Sequence, residues 1–379
     1  MRRFLLVIVS LILSVSFATG QVKVRLFSSQ SPDFVIFTVV DGEYLIEGYE
    51  NSAVVCNKND VIVISKYDKK LAIKSRQSEG FAVDSIIFKA ISDNSSFSLR
   101  VNTVTQLYSG NFSCYPDLAT IVMINNCNVD DYIAGVIRTE GGLNRHKEYT
   151  KAQAIITRTF LYRNLDRHIS DGYNTCDNTH CQAFHGITND LAINLVTKET
   201  ENMVILGKDS SLIFSVFHSN CGGMTAASKD VWGADLSYLR NVLDPYCVRS
   251  RNATWERKFT LKEWSNFLQK SGYTGSTGDA ALFSFNHNRR AIDYKAGSFT
   301  MPFEKVRSDL RLRSSFFSVI TDNHSVTLKG KGYGHGVGLC QEGAMEMAVR
   351  GNTYSEIISF YYPGVMITEL KNAKFTIVK

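Results

Sequence analysis

The sequence predicts an α+β protein, in which a β-rich N-terminal region precedes a domain of mixed helices and strands. Three observations support this fold class. Short apolar segments separated by polar turns fill residues 21–126, helical periodicity begins near residue 128, and both patterns occur after residue 200. The chain of 379 residues is long enough for two or three domains with cores of their own.

The N-terminal strands are predicted from apolar alternation and from continuous apolar runs. Polar, turn-like segments separate these runs along the chain. Strands are expected at residues 22–26, 35–40, 61–64, 85–88 and 120–124.

Two helices are expected after these strands. Asn128 or Asp130 can cap a helix that runs to about Thr139, and the two glycines at 141 and 142 can stop it. A second helix is expected at residues 147–165, because its apolar side chains fall on one face. These side chains are Tyr149, Ala152, Ile156 and Phe160.

The second half of the chain mixes both kinds of element. Strands are expected at residues 203–206 and 212–217, and a helix at 261–271. The last helix of the chain is expected to begin near Gln341 and to run through Met347.

The first twenty residues have the form of a signal peptide. Arg2 and Arg3 give a basic start, residues 4–18 are mostly apolar, and Ala18-Thr19-Gly20 is a small-x-small cleavage site. The apolar run is too short to span a bilayer comfortably. We therefore expect residues 1–20 to be removed and the mature protein to be exported, to the periplasm or the extracellular space.

The charge balance argues against nucleic acid as a partner. The formal net charge is +6, from 42 basic and 36 acidic residues. The chain has no dense basic run and no interleaving of basic with aromatic residues, which are the marks of a nucleic-acid surface. The mild basic excess is compatible with an anionic polymer.

Four segments carry recognisable motifs. VDDYIAGVIRTE at residues 129–140 ends in Glu140 and is followed by KAQAIITRTF at 151–160. HSNCGGMT occupies residues 218–225, and GYGHGVGLCQEGA occupies 332–344. Together these segments resemble the stage II sporulation protein D / amidase-enhancer (SpoIID/LytB) family, whose members act on the glycan strands of the bacterial cell wall. The likeness covers roughly residues 100–366, interrupted by a less familiar stretch near 250–325.

The resemblance implies a domain organisation and an activity. A glycan-cleaving domain with a cleft is expected at residues 99–379, after a β-rich region at 21–98. Its expected activity is that of a cell-wall-associated lytic transglycosylase, which cleaves peptidoglycan glycan strands and leaves 1,6-anhydromuramyl ends. Family enzymes of this kind prefer strands stripped of stem peptides, so a cell-wall amidase is the implied partner. The alternative is a non-catalytic glycan-binding module that enhances an N-acetylmuramoyl-L-alanine amidase.

Glu140 stands at the position of the family's catalytic acid. Hydrolases of glycosidic bonds normally use two carboxyl groups, whereas a lytic transglycosylase can work with one. The negative end of the helix that Glu140 terminates would favour its neutral, acidic form. Asp130 and Asp131 are better explained by a capping role at the helix start, and Glu148 by the first turn of the next helix.

His168, Cys176, His180 and Cys181 form a candidate metal site. Two imidazoles and two thiolates suit tetrahedral zinc, although the spacing departs from common zinc-finger patterns. The segments Cys176-Asp177 and His180-Cys181-Gln182 look like a region with which some family members hold zinc. Such a closed site would be structural. The alternatives are a Cys176–Cys181 disulfide, which an exported protein permits, and a zinc hydrolase with an open coordination position.

The glycine-rich segments supply the candidates for substrate binding. By resemblance, His335 and Gln341 contact sugar, and two glycine motifs form walls of the same cleft. Trp232 is the tryptophan best placed to stack on a sugar, although aromatic residues are more often core. The glycines are explained equally well by close approach of a ligand and by tight packing. These glycines are Gly222, Gly223 and Gly336.

Six further cysteines allow 15 pairings, which sequence cannot resolve. Cys114 and Cys127 flank a predicted hairpin, and Cys221 and Cys247 flank a glycine motif, so each pair is a possible disulfide. Cys340 with His335 suggests a nucleophile, but many family members carry Ser at that position. The six cysteines are Cys56, Cys114, Cys127, Cys221, Cys247 and Cys340.

Overall fold

The computed structural model describes residues 20–47, 54–75, 78–118, 120–143, 145–276, 280–322 and 324–374. The predicted signal peptide at residues 1–20 lies outside these ranges, apart from Gly20. In the described ranges no helix combines the length and the apolar character needed to cross a bilayer. The chain forms two compact units, one of Met1–Tyr132 with Ser170–Asp177 and one of Ile133–Ile169 with Asn178–Lys379. This division lies later in the chain than the boundary expected between residues 98 and 99.

The N-terminal unit is built from strands, and the five predicted strand segments coincide or overlap with strands of the structure. Two sheets contain them, in the orders β13-β1-β12-β11-β8-β3-β4 and β10-β9-β2-β5-β6-β7. The strands are β1 (Gln21–Leu26), β2 (Phe34–Asp41), β3 (Tyr44–Glu47), β4 (Val54–Cys56), β5 (Val61–Tyr67), β6 (Lys70–Ser75), β7 (Ser78–Val83), β8 (Ile86–Ala90), β9 (Ser96–Val101), β10 (Val104–Ser109), β11 (Asn111–Asp117), β12 (Thr120–Asn128) and β13 (Thr175–Cys176).

Aromatic rings from both sheets fill the core of this unit. Phe37 on β2 stacks on Phe88 of β8 with ring centroids 4.1 Å apart. Phe97 on β9 lies 5.5 Å from Phe112 on β11. Contacts of this kind across two sheets are those of a β-sandwich, whose inward-facing side chains interdigitate.

The strand register excludes one suggested disulfide. Cys114 on β11 lies opposite Met123 of β12, so Cys127 is four residues further along that strand. Four residues of strand span about 13 Å, whereas the Cα atoms of a disulfide lie within about 7 Å of each other. The suggested Cys114–Cys127 pairing is therefore wrong, and each thiol is buried among strand residues.

The C-terminal unit combines helices with short sheets, which confirms the predicted α+β class. Its strands are β14 (Met203–Leu206), β15 (Phe217–His218), β16 (Thr254–Thr260), β17 (Asp293–Ala296), β18 (Phe299–Pro302), β19 (Phe317–Thr321), β20 (Ser325–Lys331), β21 (Leu339–Cys340) and β22 (Met366–Glu369). The helices, counted from the one that enters this unit, are α1 (Val129–Val136), α2 (Lys147–Arg163), α3 (Leu191–Glu199), α4 (Ser228–Trp232), α5 (Leu261–Lys270), α6 (Phe303–Leu310), α7 (Gln341–Val349) and α8 (Tyr354–Tyr361).

Helix α2 is the centre of the main core of this unit. The predicted helix at 147–165 is confirmed, and its residues from Tyr149 to Tyr162 are buried except Lys151. Arg158 is fully buried, and its guanidinium donates to the carbonyl oxygens of Thr200 at 2.7 Å and Thr197 at 3.2 Å. These bonds satisfy the last turn of α3, because the final carbonyls of a helix lack partners within it.

Two predictions for this unit are wrong. Residues 212–217 do not form a strand over their length; only Phe217–His218 is one, and Leu212 makes an isolated bridge to Leu206. This apolar run is held against α2 instead of in a sheet, because the Ser215 hydroxyl donates to the Ile156 carbonyl at 2.9 Å. The helix at 341–347 is also not the last, because α8 follows it. The predicted helix at 261–271 is confirmed as α5.

Residues 254–331 form a layer with a hydrophobic core of its own. The sheet β16-β20-β19 and helices α5 and α6 enclose this core, in which Trp264 is fully buried. Thr254 at the start of the layer pairs with Lys331 at its end. The layer coincides with the stretch near 250–325 in which the family resemblance fades.

Candidate active site

A polar cleft of about 1120 Å³ lies in the C-terminal unit. Three segments line most of it: the end of the first helical segment, the segment between α4 and β16, and helix α7. Glu140 stands on the first of these segments and Gln341 on the last, although they are 201 residues apart in sequence. The lining residues are Thr139, Glu140, Gly141, Gly142, Arg145, Ser219, Pro245, Tyr246, Val248, Arg249, Ser250, Arg251, Asn252, Gln341, Glu342, Met345, Glu346, Val349 and Arg350.

Glu140 lies in a π-helical turn. Asn128 accepts the amide of Asp130 at 2.8 Å and so caps α1, while Asp131 accepts the Ser109 hydroxyl. The helix continues past Val136 as a π-helix at Ile137–Gly141, which sequence analysis described as an ordinary helix end. Such turns widen the backbone and occur often at functional sites.

Two hydrogen bonds fix the position of Glu140. Its Oε1 atom accepts the Ala183 amide at 2.9 Å. The Gln341 side chain donates from Nε2 to the Glu140 carbonyl oxygen at 3.1 Å. Within the described residues, no hydrogen-bond donor contacts Oε2 of Glu140. One carboxylate oxygen is therefore held in place and the other is left to act on a ligand in the cleft.

The Ala183 amide reaches Glu140 because α1 has a glycine opposite it. A Cβ atom on Gly135 would lie 2.5 Å from Cε2 of Phe184 and also against the carbonyl oxygen of Gly186. Real contacts of a Cβ atom are essentially never this short, so only glycine lets residues 183–186 pack on the helix. This close packing sets the distance between Ala183 and the carboxyl group.

Burial raises the pKa of Glu140, because a low-dielectric surrounding penalises its charged form. The hydrogen bond from Ala183 and the charge of His185 act in the opposite direction. The direction agrees with the sequence argument, although burial and not the helix end is its leading cause. A carboxyl group with a raised pKa keeps its proton at higher pH, as a general acid requires.

The other carboxyl groups of the cleft are engaged. Oε2 of Glu342 accepts the Asn220 amide at 2.6 Å and the Ser250 hydroxyl at 2.5 Å, and its Oε1 accepts the Asn252 side chain at 2.6 Å. Glu346 accepts the Arg350 guanidinium at 2.8 Å. Glu342 therefore holds the cleft wall together. In the sequence, Glu342 could be recognised by its position directly after Gln341.

Arginines give the cleft a basic side that the sequence analysis missed. Arg249 and Arg251 are exposed and line it from the segment between α4 and β16. Arg145 lines it beside Glu140, where its Nε atom donates to the Gly141 carbonyl at 3.2 Å. These residues lie outside every recognised motif, so no sequence signal pointed to them.

Comparison with known proteins shows similarity to stage II sporulation proteins. Residues 118–206, which include Glu140 and α2, match the family model described as SpoIID: Stage II sporulation protein. Stage II sporulation protein D of Bacillus amyloliquefaciens is 28% identical over 265 residues, covering 65% of this chain and 76% of that protein. The chain is therefore similar to stage II sporulation protein D over the segment that carries Glu140.

Two further relatives extend the similarity. An uncharacterized protein of Brachyspira hyodysenteriae is 28% identical over 280 residues, covering 69% of this chain and 72% of that protein. The Amidase enhancer of Bacillus subtilis is 27% identical over 289 residues, which span 62% of this chain and 40% of that longer protein.

The structure places only part of the predicted substrate-binding set at the cleft. Gln341 lines the same cleft as Glu140. His335 and Trp232 are not among its described lining residues. Instead, their rings pack on each other with centroids 5.1 Å apart, and Trp232 remains 44% exposed at a separate surface.

The glycines of the family motifs serve packing. A Cβ atom on Gly222 would lie 2.6 Å from Cβ of Lys331, and one on Gly336 would lie 2.6 Å from the Arg290 guanidinium. Gly222, Gly223 and Gly336 also have positive φ angles of 70°, 95° and 82°. These conformations favour glycine. The packing interpretation accounts for these three glycines without a ligand.

Both ring nitrogens of His335 are bonded to the backbone. Its Nε2–H donates to the Phe217 carbonyl at 2.9 Å, and its Nδ1 accepts the Val337 amide at 3.1 Å. Burial lowers the pKa of His335 to about 4, so the ring is neutral at neutral pH. These contacts give His335 a structural role in holding its loop.

We expect His335→Ala to lower the free energy of unfolding by about 1–3 kcal/mol, because it leaves the buried Phe217 carbonyl and Val337 amide without partners. Urea denaturation measures this. The matched control is His324→Ala, since His324 is exposed and its backbone amide, not its ring, donates to Asp322. Equal stability of the two variants would contradict the structural role.

Three of the four predicted metal ligands lie together in the C-terminal unit. Sγ of Cys181 is 3.4 Å from Nε2 of His168 and 3.5 Å from Nδ1 of His180. Cys176 belongs to strand β13 of the N-terminal unit, five residues before Cys181. With bonds of about 2.3 Å to sulfur and 2.1 Å to nitrogen, tetrahedral zinc separates such atoms by about 3.6 Å. The spacing of these three ligands therefore fits zinc.

Proposed function

We propose that the protein is an exported lytic transglycosylase that cleaves peptidoglycan glycan strands and leaves 1,6-anhydromuramyl ends. The observation that supports this proposal is the raised pKa and the hydrogen bonding of the Glu140 carboxyl group. The pKa of this group is raised, and one of its oxygens has no hydrogen-bond donor among the residues that the structure describes, whereas Glu342 and Glu346 are held by hydrogen bonds. Similarity to stage II sporulation protein D supports the same assignment.

A single carboxyl group suffices for this reaction. Protonated Glu140 gives its proton to the glycosidic oxygen as the bond from that oxygen to C1 of the muramyl residue breaks. The resulting Glu140 carboxylate then takes the proton of the C6 hydroxyl of the same sugar, whose oxygen bonds to C1 and closes the anhydro ring. Glu140 is again protonated at the end, and no water is consumed. Hydrolysis would need a second carboxyl group to activate or replace water.

The basic side of the cleft supports peptide-stripped strands as the substrate. Removal of the stem peptide leaves a free lactyl carboxylate on each muramyl residue. Guanidinium groups recognise carboxylates through paired hydrogen bonds, and Arg145, Arg249 and Arg251 line the cleft. A cell-wall amidase, which removes stem peptides, would supply this substrate and is the partner we propose.

The test is to incubate the purified protein with glycan strands that carry or lack stem peptides and to analyse the products by mass spectrometry. We expect fragments with 1,6-anhydromuramyl ends, formed faster from stripped strands. Fragments with reducing muramyl ends would indicate a hydrolase instead and would overturn the proposal.

A second candidate function is supported by the similarity to the Amidase enhancer of Bacillus subtilis. In that case the protein would bind glycan without cleaving it and would increase the rate of a cell-wall amidase. The same digestion separates the two functions, because an enhancer would leave the strands intact while raising amidase turnover in a mixed assay.

We also propose that His168, Cys176, His180 and Cys181 hold one structural zinc ion. The three ligands of the C-terminal unit have suitable spacing, and the fourth is only five residues from Cys181 along the chain. Four protein ligands close a tetrahedral site, so the ion would fix the loop that leads to Ala183 and would take no part in bond cleavage.

We expect Cys181→Ser to contain one zinc ion per chain fewer than the parent protein, because it removes a thiolate ligand. Elemental analysis measures this, and Cys56→Ser, which changes a buried cysteine on β4, is the control. An unchanged zinc content, or a Cys176–Cys181 disulfide in peptide mass spectra of the parent, would contradict the assignment.

A further inference from the structure

A second group of metal-binding side chains lies in the C-terminal unit, apart from Glu140 and from the first cluster. Cys221, Asp244, Cys247 and Cys340 each offer one ligand atom, and these atoms all lie within 4.8 Å of one another. The three cysteines are 0% exposed and Asp244 is 1% exposed. The four residues come from three segments of the chain, so their convergence is a product of the fold.

The spacing within this group suits one tetrahedral ion. Sγ of Cys221 is 3.4 Å from Sγ of Cys247 and 3.2 Å from Oδ2 of Asp244. Zinc bound by thiolates at about 2.3 Å separates two sulfur atoms by about 3.8 Å, and a sulfur from a carboxylate oxygen by about 3.5 Å. Shifts of a few tenths of an ångström would therefore accommodate the ion.

The surroundings provide the hydrogen bonds that metal ligands usually receive. The Cys221 amide donates to Sγ of Cys340 and the Gly223 amide donates to Sγ of Cys247, each at 3.3 Å. Tyr361 donates from its hydroxyl to Oδ2 of Asp244 at 2.9 Å. Donors of this kind orient the ligands and tune a bound ion.

Glycines make room for this arrangement. Gly223 has a φ of 95°, which turns its amide toward Cys247 in a conformation that other residues rarely adopt. A Cβ atom on Gly343 would collide with Oδ2 of Asp244 and with the Tyr361 hydroxyl. The glycines of these motifs thus pack around the four ligands, whereas residues adjacent to the motif glycines in sequence line the cleft.

The charge of a bound ion would be offset by its ligands. Three cysteines that bind a metal as thiolates, together with a carboxylate, carry four negative charges, and a divalent ion removes half of this charge. The guanidinium of Arg290, which donates to the Cys221 carbonyl at 2.8 Å, adds a positive charge beside the group.

We propose that Cys221, Asp244, Cys247 and Cys340 form a second zinc site with a structural role. Three sulfur ligands favour zinc over magnesium or calcium, and four protein ligands leave no position for catalysis. Cys340 directly precedes Gln341, and Cys247 lies between the cleft residues Tyr246 and Val248. The ion would therefore join the loop after β15 and the segment between α4 and β16 to helix α7, and would hold these walls of the cleft at a fixed separation.

The experiment uses the full chain carrying Cys181→Ser, so that the first cluster is disabled. We expect about one zinc ion per chain in this background, and its loss when Cys247→Ser is added. Adding Cys114→Ser, which changes a buried cysteine of the N-terminal unit, should leave the zinc in place. Replacement of zinc by Co²⁺ should produce the thiolate-to-cobalt absorption of a tetrahedral site.

Two results would overturn the proposal. One is the absence of bound metal in the Cys181→Ser protein, and the other is a Cys221–Cys247 disulfide in its non-reduced peptide map. If the Cys247→Ser variant fails to fold, the cobalt spectrum and the peptide map of the Cys181→Ser protein decide the matter. Both readouts are independent of glycan cleavage, so they test this site whether or not the proposed activity is correct.

Discussion

Glu140→Gln should reduce cleavage of glycan strands by about 100-fold or more, the usual contribution of a general acid. The amide is nearly the same size as the carboxyl group and still accepts the Ala183 amide through its oxygen. It cannot donate a proton to the glycosidic oxygen. The rate of release of anhydro-ended fragments is the measurement.

The fold should survive this change. Burial raises the pKa of Glu140 in the folded protein, so the ionised carboxylate opposes folding at any pH above that pKa. Gln removes this cost, and the variant should be at least as stable as the parent at neutral pH. Glu201→Gln, at an exposed position, is the control and should retain activity. Wild-type rates in Glu140→Gln would refute the catalytic assignment.

Gly135→Ala should lower both stability and activity. Alanine has the higher helix propensity by about 1 kcal/mol, so an isolated helix would gain from this change. In the protein the new Cβ atom would lie 2.5 Å from the Phe184 ring, and such overpacking costs about 1–3 kcal/mol. Relief requires residues 183–186 to move, which displaces the amide that holds Glu140.

Denaturant unfolding and the cleavage assay measure these two effects separately. Gly141→Ala is the matched control for stability, because its added Cβ atom would come no closer than 3.4 Å to another group. We expect the control to unfold near the parent's midpoint. A Gly135→Ala variant as stable and as active as the parent would show that this contact does not position Glu140.

Local sequence patterns predicted the strands and helices in which buried and exposed residues alternate with a regular period. The strands of the N-terminal unit alternate in burial along their length, as in β1 and β2. Helix α5 has the expected extent because Thr260 and Glu263 form a capping box. The same signal, Thr353 with Glu356, begins α8, which we had not predicted.

The elements that sequence did not predict depend on tertiary contacts. The apolar run at 212–217 has the composition of a strand, but Ser215 bonds to α2 and no long ladder forms. The π-helical turn at Glu140 has no propensity signal at all. In such places a partner distant in sequence decides the local backbone.

The candidate site could likewise be predicted from the sequence only in part. Glu140 and Gln341 were found because each stands in a motif, and they lie at one cleft. The motif that contains Gln341 also contains His335, whose ring is held by the backbone. Sequence spacing cannot tell on which side of a loop a side chain lies, and Arg249 and Arg251 stand in a segment without any motif.

The layer at residues 254–331 has a consequence for evolution and for engineering. Its first and last residues are neighbours, since Thr254 pairs with Lys331 and the Gly332 amide donates to the Ala253 carbonyl at 3.0 Å. The distance between the two points where the chain leaves and rejoins the cleft walls is therefore independent of the layer's length. Insertions and deletions at its loops can therefore be tolerated while Glu140 and Gln341 keep their places.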